Sequence, residues 1–339
     1  MQKVIVTGGL GFIGSNLVRK LSKDFFVIII DNKGYASNID NLEGINKKKY
    51  KIIKFGIENN RQFKKVLFKN NPIAIFHLAA ETHVDRSIEN SKPFINSNIL
   101  GTFSILEALK KFHKKNKKIK LIHVSTDEVY GDIKKNHYSK ENDAYLPSSP
   151  YSASKASSDH LVYSYYKTFN LPIIITNCCN NYGPRQFPEK LLPKMILNII
   201  NNKNLPVYGK GLNQREWIHV DDHNDALIQI LKKGKIGEKF NIGSGEILSN
   251  LKLCKLLINI FKNNFHINSK SKIKFVSDRP GHDKRYALNS NKIKKKIKFK
   301  KKFNIKEGLI HTINWYMNNN KWIKNLNKKN YKNRLGKIK

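Results

Sequence analysis

Cysteine is scarce in this chain of 339 residues: only Cys178, Cys179 and Cys254 occur, none at the spacing of a zinc ligand set or a redox motif. That argues against a disulfide-stapled secreted scaffold and a cysteine-built metal centre; a reducing cytoplasm is expected, and no metal site. The vicinal pair ends an apolar stretch and is expected to be buried and inert. Long apolar runs are also missing. None approaches the ~20 residues that span a bilayer, so no membrane partner is expected. Met1-Gln2-Lys3 leads straight into an apolar stretch, leaving no room for a signal peptide. Acidic residues are few, 25 against 64 Lys and Arg, for a formal charge of +39. Such a balance raises the question of nucleic acid. Here, however, the lysines are scattered through every segment, and the one dense run, Lys292 to Lys302, alternates Lys with Ile and Phe as a solvated element with one apolar side would. No nucleic-acid partner is expected, although a positive field would help collect a diphosphate in a salt-dependent way.

What is present is a regular alternation. Short apolar runs at residues 4–7, 25–30, 51–55, 73–78, 119–125 and 171–176 read as buried strands, separated by helical patterns such as 98–112 and 154–169. Strand–helix alternation predicts an α/β, Rossmann-type doubly wound parallel sheet. After Asn177 the pattern breaks up around Pro184, Pro188, Pro193 and Pro206, which predicts a smaller C-terminal substrate-binding lobe. Residues 220–231 and 239–242 read as one more helix and strand returning to the first lobe. The expected division is therefore 1–178 plus about 216–243 for a dinucleotide-binding domain, and about 179–215 plus 244–339 for the second domain, with the last dozen residues frayed.

Gly8, Gly11 and Gly14 lie between the first predicted strand and a helix, the context of a dinucleotide fingerprint. Glycines there permit a tight turn and let backbone approach a pyrophosphate, whose charge meets the helix N-terminus. Asp31, at the end of the second strand, can accept from a ribose 2′-hydroxyl and would repel a 2′-phosphate, which favours NAD over NADP. Leu78, Ala79 and Ala80 close the fourth strand with small residues that let a flat cofactor lie close.

Two further stretches carry chemistry. In Ser125-Thr126-Asp127-Glu128-Val129-Tyr130-Gly131 a strand ends in adjacent carboxylates; in Tyr151-Ser152-Ala153-Ser154-Lys155 a phenol and an ammonium are four apart, on one helical face. A phenol has a reference pKa of ~10, so it serves as a base only when a cation such as Lys155 or a positive nicotinamide stabilises the phenolate. Two neighbouring acids can divide acid and base work only if their surroundings push their pKa values apart.

With these motifs the chain resembles the extended short-chain dehydrogenases/reductases and, within them, the dTDP-glucose 4,6-dehydratase family. The similar segments are Thr7–Ser15, Leu78–Ser87, Ser125–Asp132, Ser148–Leu161, Thr176–Pro184, Phe187–Leu192, Tyr208–Gly211, Arg215–His223 and Asp278–Arg285. The resemblance implies NAD as cofactor and dTDP-glucose as substrate, within deoxysugar or rhamnose biosynthesis. It also implies a three-stage dehydration: oxidation at C4, loss of water across C5–C6, and hydride return to C6. Tyr151 would take the proton of the 4-hydroxyl, Thr126 would bond the same oxygen, Glu128 would remove the C5 hydrogen, and Asp127 would protonate the departing 6-hydroxyl. Cofactor contacts are implied for Phe12, Ile13, Asn32, Lys33, Gly56, Ile57, Thr82, Ser97 and Asn181, besides the fingerprint residues, Tyr151 and Lys155. For the substrate they are implied for Thr82, Asn180, Lys190, Leu191, Pro206, Val207, Tyr208, Arg215, Asn250, Asp278, Arg279 and His282, with the catalytic trio 126–128. A homodimer is implied, through the helical patterns at 98–112 and 154–169, whose Leu106, Leu109, Leu161 and Val162 could equally serve the core. A sugar-nucleotide 4-epimerase or C4 oxidase/decarboxylase of the same fold is the second reading; it would need Tyr151 and Lys155 but no acid at C6.

The chain departs from the family pattern at three positions. Gly56 stands where an Asp usually bonds the adenine amino group, which predicts weaker NAD binding with Ile57 still covering the ring. Arg185 replaces a common aromatic, and Gly34 a more usual Thr or Leu.

Overall fold

The computed structural model describes residues 1–114 and 119–326; the residues expected to fray at the C-terminus lie outside these. Strands β1 (Lys3–Thr7), β2 (Phe26–Asp31), β3 (Tyr50–Lys54), β4 (Ala74–His77), β5 (Lys120–Thr126) and β6 (Ile173–Cys178) alternate with helices. They are followed by β7 (Asn180–Tyr182), β8 (Leu205–Tyr208), β9 (Gln214–His219), β10 (Lys239–Ile242), β11 (Ile247–Ser249) and β12 (Ile273–Val276). The main sheet has seven strands in the order β10-β6-β5-β4-β1-β2-β3, every pair parallel. Order reverses between β1 and β4, the switch point at which open α/β sheets bind ligands.

Strand periodicity decides which side chains meet which helices. Val4, Val6, Val27, Ile29 and Ile174 join one hydrophobic layer, while Ile5, Ile28, Ile30, Ile173 and Ile175 join the layer on the opposite face. Both faces are covered, which is why the predicted strands carry uninterrupted apolar runs. The second lobe has its own core around Tyr182, Trp217, Phe261, Tyr316 and Trp322. Its two small sheets run β11-β9-β7 and β12-β8.

The basic run at 292–302 is largely a helix, Asn291–Ile297; Ile293 and Ile297 are buried and the lysines between them face outward. Leu106, Leu109 and Val162 are fully buried in the core, so the two helices that carry them do not offer those residues to a partner. Their exposed apolar residues are instead Phe103, Tyr163 and Phe169, with Ile95 and Leu100 in the preceding π-helical turn.

Candidate active site

A single cleft follows the C-terminal ends of the parallel strands, from the glycine turn after β1 to the loop at 186–192 in the second lobe. Gly8 has φ +69°, and a Cβ there would stand 2.8 Å from the Ala79 backbone, so the turn after β1 and the end of β4 approach as closely as they do only without a side chain. The helix Phe12–Leu21 starts at this turn with no acidic residue in its first turn. Its free N–H groups can therefore meet an anion.

Asp31 tests whether the cleft fits NAD. One carboxylate oxygen accepts from the Leu10 N–H (3.0 Å), the other from the Lys33 N–H (2.8 Å) and the Ser37 hydroxyl (2.7 Å). A carboxylate offers about four acceptor sites, so one remains free on the oxygen bonded by Leu10. That is what a ribose hydroxyl requires. Phe12, Ile13, Asn32, Ile57, Leu78, Ala80, Thr82, Ser97 and Asn181 also line this cleft. Asn181 holds its Oδ1 buried without a partner, an acceptor available to a ligand. Lys33 is not among the lining residues; its contribution is the backbone N–H to Asp31, from a residue at φ 58°. The donor and acceptor set fits NAD.

Tyr151 and Lys155 sit at the start of the helix Pro150–Phe169. Ser149 caps it, accepting from the Ser152 N–H at 3.1 Å while the Ser152 hydroxyl accepts the Ser149 N–H at 3.0 Å, and Pro150 fixes the first turn. A buried network then pins the helix to the sheet. Asp159 pairs with His123 on β5 (3.0 Å) and accepts from Tyr145 (3.0 Å) and from Asn177 on β6 (3.1 Å). Lys155 points back to the Val124 carbonyl at 2.9 Å.

Asp127 and Glu128 occupy a single 3₁₀ turn capped by Thr126, whose hydroxyl accepts the Glu128 N–H at 3.2 Å. The same hydroxyl lies 3.2 Å from an Asp127 oxygen and is near enough to the Tyr151 phenol to favour its ionised form. The phenol, the hydroxyl and both acids thus converge in one closed site. Burial, then the Glu128 charge, push the Tyr151 pKa far up, with Thr126 pulling the other way. Lys155 is itself pushed down by burial. Its ammonium is bonded to Val124 rather than to the phenol.

The two acids are distinguished by their neighbours. Burial raises both, but Asp127 is pushed further by Glu128 and Glu216 and opposed by a single cation, Arg215, and by the Thr126 hydroxyl. Glu128 has three cations working to keep it charged, Arg279, Arg215 and Lys190. Of the two, Asp127 is the more strongly pushed toward its protonated form, so the arrangement can use it as the acid and Glu128 as the base. Asp127 Oδ2 is buried with no partner, as an acid awaiting an acceptor would be.

Of the residues assigned to the substrate, Asn180, Lys190 and Leu191 line the cleft. Lys190 donates to the Thr82 carbonyl at 2.7 Å, bridging the two lobes. Arg215 lies over the Tyr286 ring at 4.2 Å and donates to the Asp283 carbonyl; Arg279 pairs with Asp85 at 2.9 Å. Tyr208 donates to the same Asp85, and His282 bonds Asp278. Asn250 keeps its Oδ1 buried and unpaired. Along β8 the side chains alternate, so Pro206 and Tyr208 face outward while Val207 is packed into the second lobe's core and has no side chain to offer a ligand. Arg185 turns away from the cleft toward Asn16 and the Trp315 ring. Gly34 lines it.

Sequence reasoning missed Asp85, which holds Tyr208 and Arg279 from distant segments, and Glu189, which binds the Tyr35 hydroxyl (2.9 Å) and Arg86 (3.2 Å). It also missed Glu216, buried beside Asp127 with its oxygens held by the Gly245 and Leu288 N–H groups. The Arg215-Glu216-Trp217 triplet lay within a recognised segment and could have pointed to it. Cys178 borders the catalytic groups as a neutral thiol, its pKa pushed up to about 12 by burial.

Comparison with known proteins agrees with this geometry. Residues 5–312 match the family model described as GDP-mannose 4,6 dehydratase. A dTDP-glucose 4,6-dehydratase of Shigella flexneri is 40% identical over 351 residues, covering 97% of each chain. The structure of the Bacillus anthracis dTDP-glucose 4,6-dehydratase in complex with NAD superposes with a TM-score of 0.86 at 39% identity, over 96% of this chain and 100% of that one. The Streptomyces venezuelae dTDP-glucose 4,6-dehydratase with NAD and TYD bound gives 0.87 at 37% identity, over 95% and 98%.

Proposed function

Because the chain belongs to the GDP-mannose 4,6 dehydratase family and, within it, to the dTDP-glucose 4,6-dehydratases, we propose how its own residues divide the dehydration of dTDP-glucose between them. The enzyme is NAD-dependent, and its product is a 4-keto-6-deoxy sugar nucleotide. Bound NAD would supply a hydride acceptor for C4 of the sugar and, once reduced, a hydride donor for C6. Tyr151 accepts the proton of the 4-hydroxyl, and the Thr126 hydroxyl steadies the same oxygen. Once C4 is a ketone its neighbour C5 is acidic, and Glu128, beside its three cations, takes that hydrogen as a proton and returns a proton to C5 when the hydride reaches C6. Asp127, kept protonated, gives its proton to the departing 6-hydroxyl. Lys190, Arg215 and Arg279 receive the diphosphate, for which arginine forks are suited. Lys155 and Asp31 hold the cofactor riboses.

The observation that carries this reading is the convergence of Tyr151, Thr126, Asp127 and Glu128, with Asp127 pushed further toward its protonated form than Glu128. Incubation with dTDP-glucose followed by NMR tests it. The expected product has a methyl group at C6 and a ketone at C4; a galactose-configured sugar that keeps its 6-hydroxyl would establish the epimerase instead. Running dTDP-, UDP- and CDP-glucose side by side ranks the bases.

The cofactor lobe is assigned to residues 1–178 with 216–243, and the sugar-nucleotide lobe to 179–215 with the remainder. We assign the enzyme to the cytoplasm, on its three free thiols and a nucleotide cofactor; no described helix is long and apolar enough to cross a membrane. It is further proposed to be a homodimer through the adjacent helical segments bearing Leu100, Phe103, Tyr163 and Phe169, because their exposed apolar side chains favour a self-complementary contact. Phe103→Glu is expected to shift the protein from dimer to monomer in sedimentation without loss of fold. A wild-type protein that sediments as a monomer would rule this interface out.

A further inference from the structure

Beyond the catalytic groups, the cleft carries an acidic side chain at the turn after β3. After β3 the Phe55 N–H bonds the Asp31 carbonyl (3.2 Å), tying the ends of β2 and β3 together, and the chain then turns with the Asn59 N–H on the Gly56 carbonyl (3.0 Å). The turn sends the two following side chains in opposite directions. Ile57 is buried against Gly101, where a Cβ would come within 2.6 Å of it. Glu58 folds back over Gly56, so that a Cβ on Gly56 would stand 2.6 Å from the Glu58 carboxylate carbon. Phe55, Gly56, Ile57 and Glu58 all line the cleft next to Asp31. In a chain carrying 64 Lys and Arg, no ion pair engages Glu58 among the described residues.

The order of sites along the cleft identifies what this corner receives. The glycine turn takes the pyrophosphate and Asp31 the adenosine ribose, while Tyr151 and Lys155 lie toward the other end. The base carried by the ribose at Asp31 therefore extends past β2 to the turn after β3. We propose that Glu58 is the specificity residue for the adenine of NAD, its carboxylate reaching through the space left open by Gly56 to accept from the adenine 6-amino group while Ile57 packs on the ring. The inference rests on the NAD-dependent reading above. It also reverses the expectation that Gly56 leaves the base without a polar partner: glycine is what admits the carboxylate of residue 58.

An ionised carboxylate only accepts. Adenine presents a donor at position 6, whereas hypoxanthine presents an oxygen, and a site built to bond one group rejects the analogue lacking it. Calorimetric titration of the full-length chain, freed of nucleotide, with NAD and with nicotinamide hypoxanthine dinucleotide reads this directly and does not involve turnover. Wild type is expected to bind NAD about tenfold more tightly, in line with one charge-assisted hydrogen bond. Glu58→Gln should weaken NAD and bring the ratio near one. Gly56→Ala keeps Glu58 but fills the space it occupies, and should collapse the ratio in the same way. A ratio unchanged in both variants, or an equal loss for both nucleotides, overturns the proposal. Tight binding of neither nucleotide by wild type would overturn it together with the NAD reading, whereas an unchanged ratio would leave that reading standing.

Discussion

Tyr151→Phe is expected to lower kcat for dTDP-glucose by about 10³-fold, within the range that a positioned acid–base group contributes. The phenol is the group proposed to take the 4-hydroxyl proton, and the neighbouring Thr126 hydroxyl is no base. Burial and the Glu128 charge hold the phenol neutral until a cation joins it, so the wild-type rate should fall as pH drops and the phenolate is lost. That limb of the profile should be missing from the variant. Structural damage should be slight: Phe fills the same volume, the ring packs edge-on against Phe94, and Thr126 keeps its bond to the Glu128 N–H. Melting temperature and kcat measured together separate the two effects. A variant that retains a tenth of the wild-type rate would remove Tyr151 from the chemistry.

Much of this arrangement was legible in the chain because it is local. The glycine turn, Asp31, the acid pair and the Tyr–Lys pair each lie within a few residues of a strand end or a helix start. Parallel α/β topology then brings strand ends to one edge by itself. Strand periodicity told which residues face which layer, as Ile28 and Ile29 show by entering opposite cores. What stayed hidden depends on distant segments. Asp85 meets Tyr208 and Arg279 from 123 and 194 residues away, and no short window contains that partnership. Val207 lay inside a segment attributed to the substrate, yet strand alternation on β8 turns it inward. The assignment of roles within Asp127-Glu128 was hidden for a related reason. Adjacent in sequence, the two acids differ through groups far along the chain, Glu216 beside Asp127 and Arg279 and Lys190 beside Glu128.

That asymmetry has a consequence for Asp127→Asn, which is expected to lower kcat by 10²- to 10⁴-fold, about the share of a general acid, while making the folded protein more stable near neutral pH. The rate falls because the 6-hydroxyl then leaves without a proton. Glu128 remains, so in deuterated buffer the variant should still exchange the hydrogen at C5 of bound substrate, whereas Glu128→Gln should not. The stability effect follows from linkage. The folded-state pKa of Asp127 is raised far above its unfolded value, by burial first and then by Glu128 and Glu216, so the folded chain holds this proton more tightly than the unfolded one. Between those two values the unfolded state binds fewer protons, and stability falls as pH rises. Asn carries no such cost. Its gain in melting temperature should therefore be small near pH 5, grow as pH rises toward neutrality, and level off only above the folded-state pKa. If the variant instead melts below wild type at pH 7, with a deficit that shrinks toward pH 5, Asp127 is a charged structural ion. The role of acid would then pass to another group. A loss of rate joined to a pH-dependent gain in stability is the pairing expected where an active site holds a buried acid protonated against its solution preference.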